Sequence, residues 1–512
     1  MSDWASGYQA DIDYLYGYYA ELNPLRMRLA FAASGLVAPE IRTACELGFG
    51  QGISVNLHAA ASTVDWYGTD FMPAQASFAR DLAAASGAPA TLYDEAFAEF
   101  AIRSDLPEFD YIALHGVWSW VSQDNREVIV DFLRRKLRPG GVVYVGYNTL
   151  PGWAPLAPIQ HLLARHAEVL DAPGTAVSHR VDNALGFVER LLATNPGYAR
   201  AVPHLGQHIA REKDKDRHYL SHEYFNRHWS PAYFSALAEA LAPAKLKFAC
   251  SAYYLDHFDA LHLLDQQRAF LAGISEPVMR QTVRDFMVNQ DFRRDFWVKG
   301  PRHLSLLEQT EALQGERVVL VHPRGDVELK VKGALGEMAL SDAVYNPILD
   351  ALSNHQPWTL GQLAQAVAGK GLSFPQVMQA AMMLMGLGRV AAAADEATRD
   401  RTQAQSDRLN DFVLQSARGR TDIRYMASPV VGGGVRVQQF DQLFLLGLRQ
   451  GRKEPAELAE FVWQILAAQG QKITREGRPI ETVSENLNEL NLQALNFRDK
   501  VLPILSALGI AR

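Results

Sequence analysis

The sequence predicts an α/β protein: a doubly wound, nucleotide-type parallel sheet broken by a helical insertion and followed by a mainly helical, winged-helix-like C-terminal region. Three observations carry that expectation. Between residues 41 and 147 strand-like apolar runs alternate with helical ones, as in βαβ units on a parallel sheet. From 155 to 240 the pattern is helical, and strand character returns at KLKFACSAYYL. From about 335 three helical patterns, DAVYNPILDALS, TLGQLAQAVAGK and FPQVMQAAMMLMG, precede the short run RVAAAA, which is the order of a winged helix.

The elements follow in sequence. IRTACEL is the first strand; it enters a turn with three glycines in five positions, GFGQG, and ISVNLHAAAS follows as a helix. DWYGTD is the second strand, and PAQASFARDLAAASG is a helix ended by Gly87. ATLYDEAF supplies the third strand and FDYIALHG the fourth, apolar enough to be covered on both faces. NREVIVDFLRRKL reads as a helix that RPGG ends before a fifth strand, GVVYVGYN. Such sheets bind ligands beyond the carboxyl ends of their strands. That rule singles out Gly48 to Gly52, Asp70 with Phe71, Ala96 and Phe97, His115 to Trp120, and Tyr147 with Asn148.

In the insertion LGFVERLLAT and PAYFSALAEALA are amphipathic, and EPVMRQTVRDFMV intervenes before ERVVLVHPRG, the expected last strand of the sheet. The region from DRLNDFVLQSA to PILSALGIA is mostly helical, broken by the turn PVVGGGVRV. The expected division is a core over 1–154, a helical insertion over 155–240, and last core strands with a second helical insert over 241–330. A winged-helix-like domain over 335–400 and a C-terminal helical domain over 401–512 complete it. At 512 residues the chain is long for one hydrophobic core.

Composition narrows the function. With 48% hydrophobic and 21% charged residues the chain is of the ordinary globular class. Fifty Lys and Arg against 57 Asp and Glu give a net charge of -7, which offers no general attraction to nucleic acid or anionic lipid. The would-be recognition helix FPQVMQAAMMLMG has no Lys or Arg, so no nucleic-acid partner is expected there. Cys45 and Cys250 are the only cysteines, without a CxxC or Cys/His cluster, so neither a disulfide framework nor a metal is expected. The acidic, aromatic N-terminus is unlike a signal peptide, and the apolar run AAMMLMGLG stops at Arg389, too short for a bilayer. A cytoplasmic protein without membrane attachment is the expectation.

A strand that runs into bare glycines and then a helix suits a ligand that approaches the backbone closely. The dinucleotide pattern G-x-G-x-x-G fails, because its third glycine falls on Ile53. S-adenosylmethionine fits better: its methionine end carries an ammonium and a carboxylate, matched by a bare turn and the acid Glu46 on the incoming strand. Asp70 ends the second strand, where a carboxylate accepts ribose hydroxyls.

ELGFGQG, HGVWSWVS at 115–122, LRPGGVVYVGYNTLPGW at 137–153 and YLSHEYFNRHWSPAYF at 219–234 together resemble bacterial class I methyltransferases with a methyltransferase regulatory domain. That group includes the rickettsial protein lysine methyltransferases that modify outer-membrane protein. The resemblance extends through FRRDFWVKG at 292–300 and YMASPVVGGGVRV at 425–437. It implies a Rossmann-like class I methyltransferase sheet, S-adenosylmethionine as cofactor, lysine side chains of a protein as acceptor, and a homodimer formed through the insertion. The family's aromatic pair upstream of a proline is matched by Tyr14, Tyr19 and Pro24, while Phe49 stands where cysteine is common. The implied cofactor residues are Tyr14, Tyr19, Glu46, Gly48, Phe49, Gly50, Gly52, Asp70, Phe71, Ala96, Phe97 and His115.

Methyl transfer is an in-line displacement at a sulfonium, and alignment alone supplies about 7–11 kcal/mol. Tyr14, Tyr19, Trp118, Trp120 and Tyr147 are candidates to face the cationic methyl group, each worth about 0.5–2 kcal/mol. A lysine at pKa about 10.4 meets a penalty of roughly 4.6 kcal/mol at pH 7 by losing its proton to water, so a base helps without being compulsory. A sugar hydroxyl, near about 15.7, needs a positioned base. His115, His222 and Glu223 are the candidate bases, and Asn148 offers an amide oxygen to an amine. The expected reading is lysine methylation of a protein, with O-methylation of a surface or flagellar glycan and a non-catalytic cofactor-binding regulator as alternatives.

Overall fold

The computed structural model describes residues 15–172, 174–213, 215, 217–226, 228–475 and 478–511, and for residue 218 the backbone alone. The core strands are Thr43–Leu47 (β1), Asp65–Asp70 (β2), Ala90–Asp94 (β3), Phe109–His115 (β4), Leu137–Asn148 (β5), Leu246–Ser251 (β6) and Phe292–Lys299 (β7). They form one sheet in the order β3-β2-β1-β4-β5-β7-β6. β1 to β5 are parallel, and β7 lies antiparallel between β5 and β6. β4 is buried over all but its last residue, as its apolar run requires in a sheet covered on both faces.

Two sequence expectations need correction. RPGG does not precede the fifth strand; it lies inside β5, where Gly140 has φ +82° and the β4–β5 register shifts between Phe109 and Tyr111. A glycine at positive φ lets the strand absorb that irregularity. ERVVLVHPRG does not close the core sheet either. Arg317–Leu320 pairs antiparallel with Trp358–Thr359 and Val390–Ala392 in a separate three-stranded sheet, beside helices Asp342–Ala351, Leu360–Val367 and Phe374–Gly386. The closing strand is β7, whose charges conceal it in the sequence. Arg293 and Asp295 are 5% and 1% exposed, because they pair with each other inside the protein.

One face of the sheet packs Ala44, Trp66, Tyr111, Tyr144 and Phe296 against helices Pro24–Ala33, Ile53–Ala61 and Pro73–Ser86. The other packs Leu47, Phe109, Ile112, Val143 and Trp297 against helices Gln123–Lys136 and Phe234–Leu241. The insertion has its own core of Leu163, Val181, Leu185, Val188, Ile209 and Leu220. Helix Glu396–Ser416 lies across helices Ile53–Ala61 and Pro73–Ser86: Ser406 Oγ donates to Ala60 O at 2.8 Å and Arg408 Nε to Ser86 O at 2.7 Å. The hairpin Tyr425–Ser428 and Gly433–Arg436 rests on helix Ile53–Ala61, so close that a Cβ on Gly434 would lie 2.9 Å from Leu57 Cδ1. Among the described residues no helix is long and apolar enough to cross a membrane.

Candidate active site

β1 delivers the chain into a turn where Gly48, Gly50 and Gly52 have φ of +72°, +57° and +71°. L-residues with side chains avoid that region, which explains the triple glycine. Space is a second reason: a Cβ on Gly48 would lie 2.6 Å from Val117 Cγ2, and one on Gly52 2.4 Å from the Ala79 Cβ. Asp70, at the end of β2, holds the turn in shape. Gly50 N donates to its Oδ2 at 2.8 Å and Met72 N to its Oδ1 at 3.0 Å. Each oxygen keeps a second lone pair for a ligand hydroxyl.

The turn opens on a cavity of about 180 Å³ lined by Gly48, Gly50, Asp70, Phe71, Ala96, Phe97 and His115, all expected from the sequence. Glu46, Phe49 and Gly52 stand behind this wall rather than in it. Phe49 is 6% exposed and packs in the core. Tyr14 lies outside the described residues. Tyr19 backs the wall by stacking on His115, ring centroids 3.8 Å apart.

The acids are held close to neutrality. Burial pushes the Glu46 carboxyl up to about 8, with the charge of Asp70 adding to it. Burial lifts Asp70 to about 7 against the pull of the Met72 and Gly50 N–H groups. Glu46 is 4% exposed and its Oε2 has no hydrogen-bond partner among the described residues. A buried carboxyl oxygen without a donor is costly. A ligand bearing ribose hydroxyls supplies donors of the kind that Asp70 accepts, and the glycine turn leaves its backbone bare beside it, so this wall fits S-adenosylmethionine.

His115 ends β4 with Nδ1 2.7 Å from the Tyr144 hydroxyl. Burial lowers its pKa to about 4, so the imidazole is neutral at pH 7. Three other expectations change. Trp118 is 3% exposed in the core under the Arg126 guanidinium, which sits 5.7 Å from its ring, and Trp120 lines the cavity instead. Two residues apart, the rings take opposite sides of the chain. Tyr147 is fully buried and donates its hydroxyl to Asp295 Oδ2 at 3.0 Å, inside the cluster that Arg293 forms with Asp295 and Asp285. Asn148 is 4% exposed and stands outside the cavity lining, its N–H bonded to Ser119 Oγ at 2.9 Å, and its side chain favours the ionised form of Glu223.

The wall opposite the glycine turn comes from the insertion. Helix Arg217–Tyr224 and the residues after it contribute Tyr219, His222, Glu223, Asn226 and His228. Burial raises the Glu223 carboxyl to about 7, against the opposing effects of Lys215, Asn148 and Tyr219. Sequence reasoning named His222 and Glu223 and missed Tyr219, Asn226, Gln75, Glu95 and Asn125. Glu95 directly follows β3, so the strand-end rule reaches it; Tyr219 and Asn226 lie in the motif YLSHEYFNRHWSPAYF, and Gln75 and Asn125 carry no periodic or motif signal.

A sheet in this order with its seventh strand reversed, a glycine turn after β1 and an acid at the end of β2 define a class I, S-adenosylmethionine-dependent methyltransferase. Residues 44–141 match the family model described as a methyltransferase domain, and residues 216–299 the one described as a predicted methyltransferase regulatory domain. An uncharacterized protein of Synechocystis sp. is 38% identical over 513 residues, covering 99% of this chain and 100% of that one. The chain therefore belongs to the family of methyltransferases that join these two domains. An uncharacterized protein of Rickettsia prowazekii is 26% identical over 289 residues, 54% of this chain and 49% of that one. The structure of PKMT2 from Rickettsia typhi in complex with AdoHcy superposes with a TM-score of 0.69 at 18% identity, covering 94% of this chain and 98% of that chain. At that identity the likeness shows the fold.

Proposed function

We propose that this enzyme transfers the methyl group of S-adenosylmethionine to lysine side chains of a protein. The observation that carries the reading is the two-sided cavity: a cofactor wall of glycine turn and Asp70 faces a wall that presents the Glu223 carboxyl. A cationic side chain is attracted to such a wall, and a neutral sugar gains less from it. The resemblance to the rickettsial protein lysine methyltransferases supports the same acceptor, and the similar structure from Rickettsia typhi carries the name PKMT2.

In this reading Gly48 and Gly50 let the cofactor lie against the backbone and Asp70 accepts its ribose hydroxyls, with Glu46 behind the turn. The bound cofactor supplies an electrophilic methyl group on a sulfonium. Phe71, Phe97 and Trp120 exclude water, and His115, held by Tyr144 and Tyr19, shapes the floor as a neutral ring. The division into five segments, with the insertion as a dimerisation element and the cytoplasm as the site of action, is part of the same proposal.

The test uses cofactor labelled in the methyl group and a bacterial cell extract. Label recovered as methyllysine after acid hydrolysis is the expected result; label confined to saccharide rejects the lysine reading.

A further inference from the structure

We propose that Glu223, carried by the insertion and not by the sheet, receives the proton that the acceptor amine must lose before it is methylated. The proposal rests on the lysine reading above and names the group that serves it.

Every other carboxylate and imidazole described on this cavity wall is less suited. Asp70 is engaged by two backbone N–H groups of the cofactor turn. Glu95 is ion-paired to Arg103 at 2.5 Å. His115 has Nδ1 against the Tyr144 hydroxyl and its ring against Tyr19. His222 and His228 share the wall with Glu223, and their neutral or cationic rings attract an ammonium less than a carboxylate does.

Glu223 has a built environment. Glu223 lines the cavity, and the Tyr219 hydroxyl one turn earlier on its helix and the Asn148 side chain at the end of β5 both favour its ionised form. Lys215 and Glu212 approach from the preceding segment, paired with each other at 2.7 Å. The insertion and the sheet thus meet at one carboxylate. Held near 7 by burial, Glu223 narrows the mismatch with a lysine near 10.4 from about six powers of ten, for an ordinary glutamate, to between about three and four. It stays ionised in about half of the molecules at neutral pH.

The step balances. An N–H bond of the ammonium breaks and its proton passes to a Glu223 oxygen; the freed lone pair forms the N–C bond as the S–C bond breaks. The product is a methylated ammonium, a neutral thioether and a carboxylic acid that returns its proton to water.

The experiment compares wild type, Glu223→Gln and Glu223→Asp between pH 6.5 and 10, with methyl-labelled cofactor and bacterial extract. S-adenosylhomocysteine binding by calorimetry checks that each variant keeps the cofactor wall. Glu223→Gln is expected to bind it within about 3-fold of wild type and to transfer about 100-fold more slowly at pH 7. The gap closes toward pH 10, where water deprotonates the amine unaided, and Glu223→Asp recovers part of the rate. A Glu223→Gln enzyme as fast as wild type at pH 7 overturns the inference, as does a deficit unchanged up to pH 10 while the label is still in methyllysine; the lysine reading survives both. Label in saccharide, with Glu223→Gln inactive at every pH, rejects the lysine reading and the amine proton with it. No transfer by the wild type rejects both.

Discussion

The two walls of one cavity are built on opposite principles. The cofactor wall is backbone: three glycines at positive φ, and a carboxylate whose oxygens are fixed by two N–H groups. The opposite wall is side chain: Tyr219, Glu223 and Asn226 on an inserted segment whose hydrophobic core is its own. A ligand common to all family members is best met by backbone, which tolerates little substitution. Acceptors differ between enzymes, and an inserted helix changes without disturbing the sheet. On the proposed reading, cofactor affinity and acceptor choice are separable by mutation.

The sharpest break of that contrast is Asp70→Ala. It leaves two buried N–H groups without an acceptor, about 1–3 kcal/mol each, and removes the ribose acceptor. S-adenosylhomocysteine affinity is expected to fall by about 100-fold or more in calorimetry, with a lower Tm. Gly48→Ala comes next, since it forces a Cβ into the left-handed region at about 1–2 kcal/mol and onto Val117. Affinity falls by about 10-fold, with the Glu223 side untouched; an equal loss of acceptor selectivity would contradict the separation.

A pH series sharpens the same contrast. Asp70 titrates near 7 in the fold against an ordinary 3.8, so the folded protein binds more protons than the unfolded chain between those values. Its contribution to stability is full below about pH 4 and is lost as pH rises through 7. Relative to wild type, the Tm of Asp70→Asn should rise between pH 5 and 8 in scanning calorimetry without ligand. Ribose hydroxyls donate to the ionised form, so wild-type affinity for S-adenosylhomocysteine rises over that range while the variant's stays flat.

The smallest effects separate the two tryptophans. Trp118→Phe leaves a gap where part of the buried indole packed and should cost about 0.5–3 kcal/mol of stability, with KM unchanged. Trp120→Ala should raise the KM for S-adenosylmethionine about 3- to 10-fold, in line with about 0.5–1.5 kcal/mol for an aromatic contact.

The backbone wall was legible in the sequence for the reason that makes it robust. Glycines at fixed spacing, and an acid at a strand end, leave a signal because no other residues satisfy the geometry. Trp118 and Trp120 were not separable, since the direction of each ring depends on the loop after β4. Tyr147 looked like a site residue at a strand end, yet the buried Arg293 cluster claims its hydroxyl, and that cluster joins positions 148 residues apart. β7 was hidden for the same reason: its charged residues find partners that no local pattern discloses.

The contact between Ser406 and Ala60 spans 346 positions of sequence. The ribosome finishes the glycine-turn helix early, but the helix Glu396–Ser416 that covers it emerges only after most of the chain has been made. Throughout that interval the nascent protein carries an unfinished apolar surface beside its cofactor turn. A message cut short before codon 396 would yield a sheet with every catalytic element present and an exposed, adhesive back.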